Sequence, residues 1–215
     1  MILIPVKILQ HAKQRLAPVL DQTSRFALAQ AMLQDVAEAI GNWQLRPEVA
    51  LVSGDPFALD LAREFDFAVI RDDANRSESD AIEMATRVCV QRGVKWTMVI
   101  PGDIPLVESA ELQQVLDAAP LQGSVLVPGW DGRGTNAALR RPADLFPLRF
   151  GNDSFLPHLA AARATGKPCI TLSLPGVGLD VDNPEDLMHL IEVPGERRSQ
   201  QLARQWGLAG HSARQ

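Results

Sequence analysis

The chain has 215 residues, 46% of them hydrophobic and 22% charged, with a formal net charge of −5. Such a composition is that of an ordinary globular chain with enough length for one large domain and a substantial core. The acidic balance argues against a general DNA- or RNA-binding protein, which carries a basic excess, and leaves room for a nucleotide held in a local basic pocket.

The opening "MILIPVKIL" is short and interrupted by Pro5 and Lys7. A membrane span needs about 20 apolar residues, so neither a span nor a signal peptide is expected, and a cytoplasmic protein with no membrane partner is. Ile2–Val6 is expected as a buried first strand, followed by an irregular basic stretch from Lys7 to Pro18. Apolar positions Phe26, Ala29, Met32, Leu33, Val36 and Ile40 recur at three- and four-residue steps, predicting a helix over 23–40. Val49–Ser53 is a second strand, 57–64 a helix and 67–70 a short strand. "RDDANRSESD" is turn-like and leads into a helix over 79–92. "VKWTMVI" is the clearest buried strand and halts at "PGDIPLV". A helix over 108–119, a strand in "GSVLVPG", and a loop running into a strand in "WDGRGTNAALRRP" come next. The rest is a loop "LFPLRFGNDSF", a helix over 156–165, a strand in "PCITLSL", a very short strand over 179–181, and helices over 184–190 and 200–206. Alternating strands and helices predict an α/β fold with a mainly parallel sheet. Sheets of that kind bind ligands beyond the carboxyl ends of their strands, which singles out Lys7, Asp55, Asp103, Asp180 and Asp182.

Asp180 and Asp182 stand two apart, so on a strand they point to one face and repel unless something positive lies between them. A divalent cation would join them, and oxygen-only ligands select magnesium or manganese. Asp182 is alternatively the cap of the helix opening at Pro184, with Glu185 and Asp186 as favourable charges at its N-terminus. Asp103 follows the strongest strand and is either a turn or capping residue or a third carboxylate of the same site.

Lys7, Lys13 and Arg15 supply the positive counterpart, either as a solvated basic loop or as groups that neutralise a triphosphate. Arg15 has the planar fork that matches phosphate oxygens. Neither G-x-x-x-x-G-K-[ST] nor G-x-G-x-x-G occurs, which removes the usual kinase and dehydrogenase support. Cys89 and Cys169 lack metal-ligand spacing, and His11, His158, His189 and His211 are scattered without a zinc motif. The glycines at 132 and 134, with Thr135 and Asn136, could bring donors to a ligand. Gly151 and Ser154 precede a helix, where Ser154 is a plain N-cap, part of an anion site, or both.

"IPVKILQHAKQRLAPVLDQTSRFALAQAMLQDV", "VIPGDIPL", "VPGWDGRGTNAAL", "LRFGNDSFLPHLAAA" and "LPGVGLDVDNPEDL" together resemble, in order, the 2-phospho-L-lactate guanylyltransferase family of coenzyme F420 biosynthesis, over about residues 2–190. The resemblance implies a three-layer, Rossmann-like nucleotidyltransferase fold of the nucleotide-diphospho-sugar transferase type, over residues 1–191, with a polar tail over 192–215. It implies transfer of GMP from GTP to 2-phospho-L-lactate, phosphoenolpyruvate or 3-phospho-D-glycerate, with magnesium required. Its metal-binding aspartates fall on Asp103, Asp180 and Asp182. Its nucleotide-binding positions fall on Pro5, Lys7, Lys13, Arg15, Ser79 and Gly102, and its acceptor-binding positions on Thr135, Asn136, Gly151 and Ser154. Lys13, Arg15 and Asp103 are expected to be catalytic. Relatives carry "GLN-x-A" where this chain has Arg76, Ser77, Glu78, Ser79 and Asp80, a departure that bears on base or acceptor specificity. The rival expectations are another nucleotidyltransferase of cytidylyl, uridylyl or molybdopterin type, a metal-dependent glycosyltransferase using the D-x-D pair, and a non-catalytic GTP-binding protein. A homodimer is compatible with all of them.

Overall fold

The computed structural model describes residues 1–151 and 153–206. Seven strands form one sheet: β1 (Ile2–Val6), β2 (Val49–Ser53), β3 (Ala68–Ile70), β4 (Thr97–Val99), β5 (Gly123–Pro128), β6 (Thr135–Arg141) and β7 (Cys169–Thr171). Their order is β3-β2-β1-β4-β6-β5-β7. Four of the six pairings are parallel, and β6 runs antiparallel to both its neighbours. This is the expected α/β, mainly parallel sheet. The reversal at β6 has a consequence for chemistry, because it brings the start of β6 to the same edge as the carboxyl ends of β1 and β4.

Alternation along β1 builds three layers. Ile2, Ile4 and Val6 pack on one side with Leu33, Val36 and Ile40 of α1 (Gln22–Gly41). Leu3 packs on the other with Ala81, Ile82 and Ala85 of α3 (Glu78–Gln91). Each such buried aliphatic side chain contributes about 1.5–3 kcal/mol. Helix α1 begins where Asp21 accepts from the Ser24 amide, and α2 (Pro56–Glu64) begins where Asp55 accepts from the amides of Phe57 and Ala58. The remaining helices are α4 (Ser109–Asp117), α5 (Phe155–Ala164), α6 (Pro175–Gly178), α7 (Pro184–Glu192) and α8 (Arg198–Gln205). No helix among the described residues is long and apolar enough to cross a membrane, and both cysteines are free thiols.

Three expected strands differ, and of the run 168–174 only Cys169–Thr171 joins the sheet. Only Thr97–Val99 of the run 94–100 joins the sheet, because Val94 donates back to Cys89 O and closes the end of α3. Residues 179–181 form no strand. The Val181 amide makes a single cross-chain bond, to Asp103 O at 3.2 Å, and α6 takes up the preceding residues. The alternation nonetheless persists: Leu179 and Val181 are buried beside α1 and α7, which leaves Asp180 and Asp182 on the opposite side.

The segment from 192, expected as a polar tail, carries α8; residues 207–215 lie outside the described residues. Helix α8 docks through a buried carboxylate. Asp35 of α1 accepts from the amides of Arg198 and Ser199 and from the Ser199 hydroxyl, so a side-chain charge meets the positive end of α8. Burial raises the pKa of Asp35, and these hydrogen bonds act against that rise. Asp35→Ala is expected to cost about 2–4 kcal/mol, because it orphans buried donors as well as removing a charge. Urea denaturation measures this, and an unchanged midpoint would exclude the latch.

Candidate active site

The site forms where β1 and β4 end and β6 begins. After β1 the chain makes two tight turns, 9–11 and 14–16, with Lys13 between them in a left-handed conformation (φ 57°). For a lysine this backbone costs on the order of 1 kcal/mol, so neighbours must hold it. Those neighbours are two carboxylates: Lys13 Nζ donates to Asp103 Oδ2 and, at 2.8 Å, to Asp182 Oδ1. The lysine side chain is 7% exposed, the two aspartates 29% and 43%. Burial opposes its charge, but the carboxylates of Asp103 and Asp182 outweigh burial and hold the ammonium above the usual lysine range. The same ammonium lowers the pKa of Asp182.

The turns are anchored by β2. Ser53 Oγ donates to Val6 O, and Asp55 Oδ2 accepts from the Leu9 amide while its other oxygen caps α2. Asp55, singled out by its place after a strand, is therefore a scaffold for the basic loop. Lys7 Nζ reaches Arg76 O at 3.2 Å, spanning the gap between this loop and the start of α3.

Asp180 has burial as the main influence on its carboxyl, followed by the charge of Asp103, and together they raise its pKa to about 6. Asn136 Nδ2 donates to its Oδ1 at 2.9 Å and to the carbonyls of Val177 and Gly178, so β6 fixes the turn that carries Asp180. The expected cap of α7 is corrected: Asn183, not Asp182, accepts from the amides of Glu185 and Asp186. Asp182 is thereby left to Lys13. Asp186 is more than a favourable charge at a helix start. It is buried, its Oδ2 accepts from the amides of Asp182 and Asn183, and its Oδ1 accepts from Trp130 Nε1.

Two adjoining cavities open here. The first, about 360 Å³, is lined by Pro5, Lys7, Lys13 and Gly102 among the expected nucleotide positions, over apolar Met32 and Leu33. The second, about 280 Å³, is lined by the expected acceptor positions Thr135, Asn136, Gly151 and Ser154, together with Arg15, Asp180 and Arg133. Asp103, Asp182, Glu78 and Pro101 line both and mark the junction. Arg15 thus sits in the second lobe. Ser79 lines neither: its Oγ accepts from the Phe150 amide at 2.9 Å and braces the loop before Gly151. Ser154 starts α5 without capping it, and its hydroxyl donates to Thr135 Oγ1 instead. Gly132 allows the tight turn of the 129–134 loop with φ 72°, and Arg133 of that loop, which lines the second lobe, pairs with Asp153 at 2.7 Å.

Glu78 and His158 escaped the sequence reading. Glu78 is the first residue of α3, where an acid reads as an ordinary helix-start charge. Burial first, then the charges of Asp103 and Asp182, push its pKa up to about 8. Only its place in the segment that departs from "GLN-x-A" hinted at a role. His158 is fully buried under the second lobe and bonded to Thr135.

Among the described residues no three acidic, histidine or cysteine side chains form a preformed ion cage. The donor chemistry still suits a hard divalent ion. Carboxylates of Asp103 and Asp182 converge on one cation already, Asp180 lies beside them, and burial, reinforced by the neighbouring acids, raises the pKa of both Asp180 and Glu78.

The family described as "Guanylyl transferase CofC like" matches residues 1–214. A phosphoenolpyruvate guanylyltransferase of Roseiflexus castenholzii is 34% identical over 204 residues, 95% of this chain and 93% of that protein. A 2-phospho-L-lactate guanylyltransferase of Methanothermobacter thermautotrophicus is 33% identical over 189 residues, 88% and 82% of the two chains. Among solved structures, a nucleotidyl transferase from Methanothermobacter superposes with a TM-score of 0.63 at 16% identity, covering 95% of this chain and 97% of that one. CMP:2-keto-3-deoxy-manno-octonic acid synthetase superposes at 0.58 with 14% identity, covering 88% and 95%. At these identities the structural likeness establishes the nucleotidyltransferase fold.

Proposed function

The chain belongs to the CofC-like guanylyl transferase family, and from that premise we propose that it transfers GMP from GTP to a small phosphorylated three-carbon acid, releasing pyrophosphate, in coenzyme F420 biosynthesis. The observation that carries the reading is the pair of adjoining cavities with Asp103 and Asp182, both bonded to Lys13, at their junction. Two anionic substrates must meet somewhere, and a junction of this kind is where the bond between them would form.

GTP occupies the first lobe, its guanosine over Met32 and Leu33 and its phosphates toward Lys7 and Lys13. The acceptor occupies the second, with its phosphate toward Thr135, Gly151 and Ser154 and its charge met by Arg15. An oxygen of the acceptor phosphate attacks the α-phosphorus of GTP, and the bond from that phosphorus to the β-phosphate oxygen breaks. The attacking oxygen is anionic near neutral pH, so no strong base is needed. The protein's contribution is to align two like-charged reactants and to offset the charge that develops. Lys13 is the fixed positive group at the reacting phosphate, and Arg15 steadies the acceptor. Asp103, Asp180 and Asp182 would hold magnesium, with manganese a substitute; such an ion supplies charge neutralisation at the phosphates. The reading is of a cytoplasmic enzyme with GTP and a small phosphorylated carboxylic acid as its partners.

Purified protein with magnesium is expected to release pyrophosphate from GTP, and not from ATP, CTP or UTP, when supplied with one of phosphoenolpyruvate, 2-phospho-L-lactate or 3-phospho-D-glycerate. Release from CTP or UTP in preference to GTP would overturn the reading. Silence with every pair, from folded protein that binds GTP, would point to a non-catalytic nucleotide binder.

A further inference from the structure

His158 is 1% exposed, and both ring nitrogens are engaged. The Arg149 amide donates to Nε2 at 2.8 Å, so Nε2 carries no proton. A neutral imidazole then has its proton on Nδ1, which lies 2.8 Å from Thr135 Oγ1. The ring donates and the threonine oxygen accepts. The reverse tautomer would set two N–H groups against each other at Arg149. Burial, reinforced by the charge of Arg140, lowers the pKa of the ring to about 4, which keeps it neutral at pH 7.

Ser154 Oγ lies 3.3 Å from the same oxygen, a second hydroxyl beside it. A hydroxyl has two acceptor sites and one proton. With one acceptor site filled by the ring, the threonine keeps its proton to offer, and Thr135 lines the second lobe.

We propose that His158 is a positioning residue for the acceptor substrate: by donating from Nδ1 to Thr135 Oγ1, it commits the Thr135 hydroxyl to donate into the second lobe, toward an anionic oxygen. The lobe therefore selects a ligand that presents a phosphate or carboxylate oxygen at Thr135 and disfavours one that presents a donor there. The inference deepens the reading of the second lobe as the acceptor site and rests on it. It gives a fully buried histidine with no contact to the reacting atoms a defined effect on acceptor affinity.

Two measurements decide it. Long-range ¹H–¹⁵N correlation on ¹⁵N-labelled wild-type protein at pH 7 should show His158 protonated at Nδ1 and bare at Nε2; the opposite tautomer overturns the proposal. In kinetics, an asparagine amide mimics Nδ1 and a glutamine amide reaches the position of Nε2. His158→Gln is expected to raise acceptor KM about 10- to 100-fold, the loss of one hydrogen bond aimed at a charged oxygen, with GTP KM unchanged. His158→Asn should restore acceptor KM to near the wild-type value. In a Thr135→Val background His158→Gln should add roughly nothing further, as expected for two groups acting through one bond. Equal losses in the asparagine and glutamine variants, or an undiminished loss on Thr135→Val, would show a role in packing alone. If wild-type protein transferred no nucleotide to any phosphorylated acid, the acceptor-site reading would fail, and the tautomer measurement would still decide the bond direction at Thr135.

Discussion

Lys13→Gln is expected to lower kcat for pyrophosphate release about 10²- to 10³-fold, the loss associated with removing a fixed group that stabilises transition-state charge. The lysine is nearly buried, lines the first lobe, and is held by Asp103 and Asp182, which line both lobes. Glutamine is one bond shorter, keeps some hydrogen bonding and carries no charge. The substitution also leaves acids facing one another, since Asp180 and Glu78 stand close by. Breaking a fully buried pair costs about 3–5 kcal/mol. Asp103 and Asp182 are 29% and 43% exposed, so solvent screens them, and a loss of about 1–3 kcal/mol is expected in the absence of divalent ions. Magnesium should recover more of the Tm in the variant than it adds to wild type, because the ion can occupy the charge the lysine gave up. Pyrophosphate release and thermal melts with and without magnesium test both halves. A variant with near-wild-type kcat would remove Lys13 from the chemistry.

Asp180→Asn should move activity and stability in opposite directions. The folded carboxyl has its pKa raised from 3.8 to about 6 by burial and by Asp103. An acid with a raised folded pKa holds its proton more tightly folded than unfolded. Its ionisation therefore costs nothing below the unfolded pKa, costs more as pH rises from 3.8 toward about 6, and costs the full amount above that. Asparagine cannot ionise, and its carbonyl oxygen can still accept from Asn136 Nδ2. In chelator, the variant should match wild type near pH 3.5 and exceed it at pH 8 by on the order of 1–2 kcal/mol. Activity with magnesium should fall about 10²-fold or more, since a charged oxygen beside the phosphates is lost. Denaturant melts at the two pH values carry the test. A gain in stability over wild type no larger at pH 8 than at pH 3.5 would show that Asp180 is not held in a costly ionised form.

The largest gap between the chain's pattern and its structure lies around the acidic pair. Two aspartates two apart predict a shared face on a strand, and Asp180 and Asp182 do both line the second lobe, but no strand carries them. The order-two alternation came from burying Leu179 and Val181, a local matter of hydrophobic pattern. The opposing charge on Asp103 and Asp182 was a different matter. Read in a line, nothing pairs Lys13 with either acid, whereas in the fold its ammonium lies between Asp103 and Asp182. The three residues are separated by 90 and 169 positions, and no local signal couples them.

The sequence by itself determined the α/β alternation, the buried strand β1, the stripe of α1 and the ordered motifs that mark the family. Each depends on short-range periodicity or on residue identities that survive being read in a line. Tertiary structure alone decided that β6 runs antiparallel and so delivers Thr135 and Asn136 to the edge where β1 and β4 end. It also turned Glu78, an ordinary helix-start acid, into a half-buried group at the junction, and His158 into the support of Thr135. Burial and electrostatic environment are sums over groups from distant parts of the chain, and those sums exist only once the sheet has closed the distances between them.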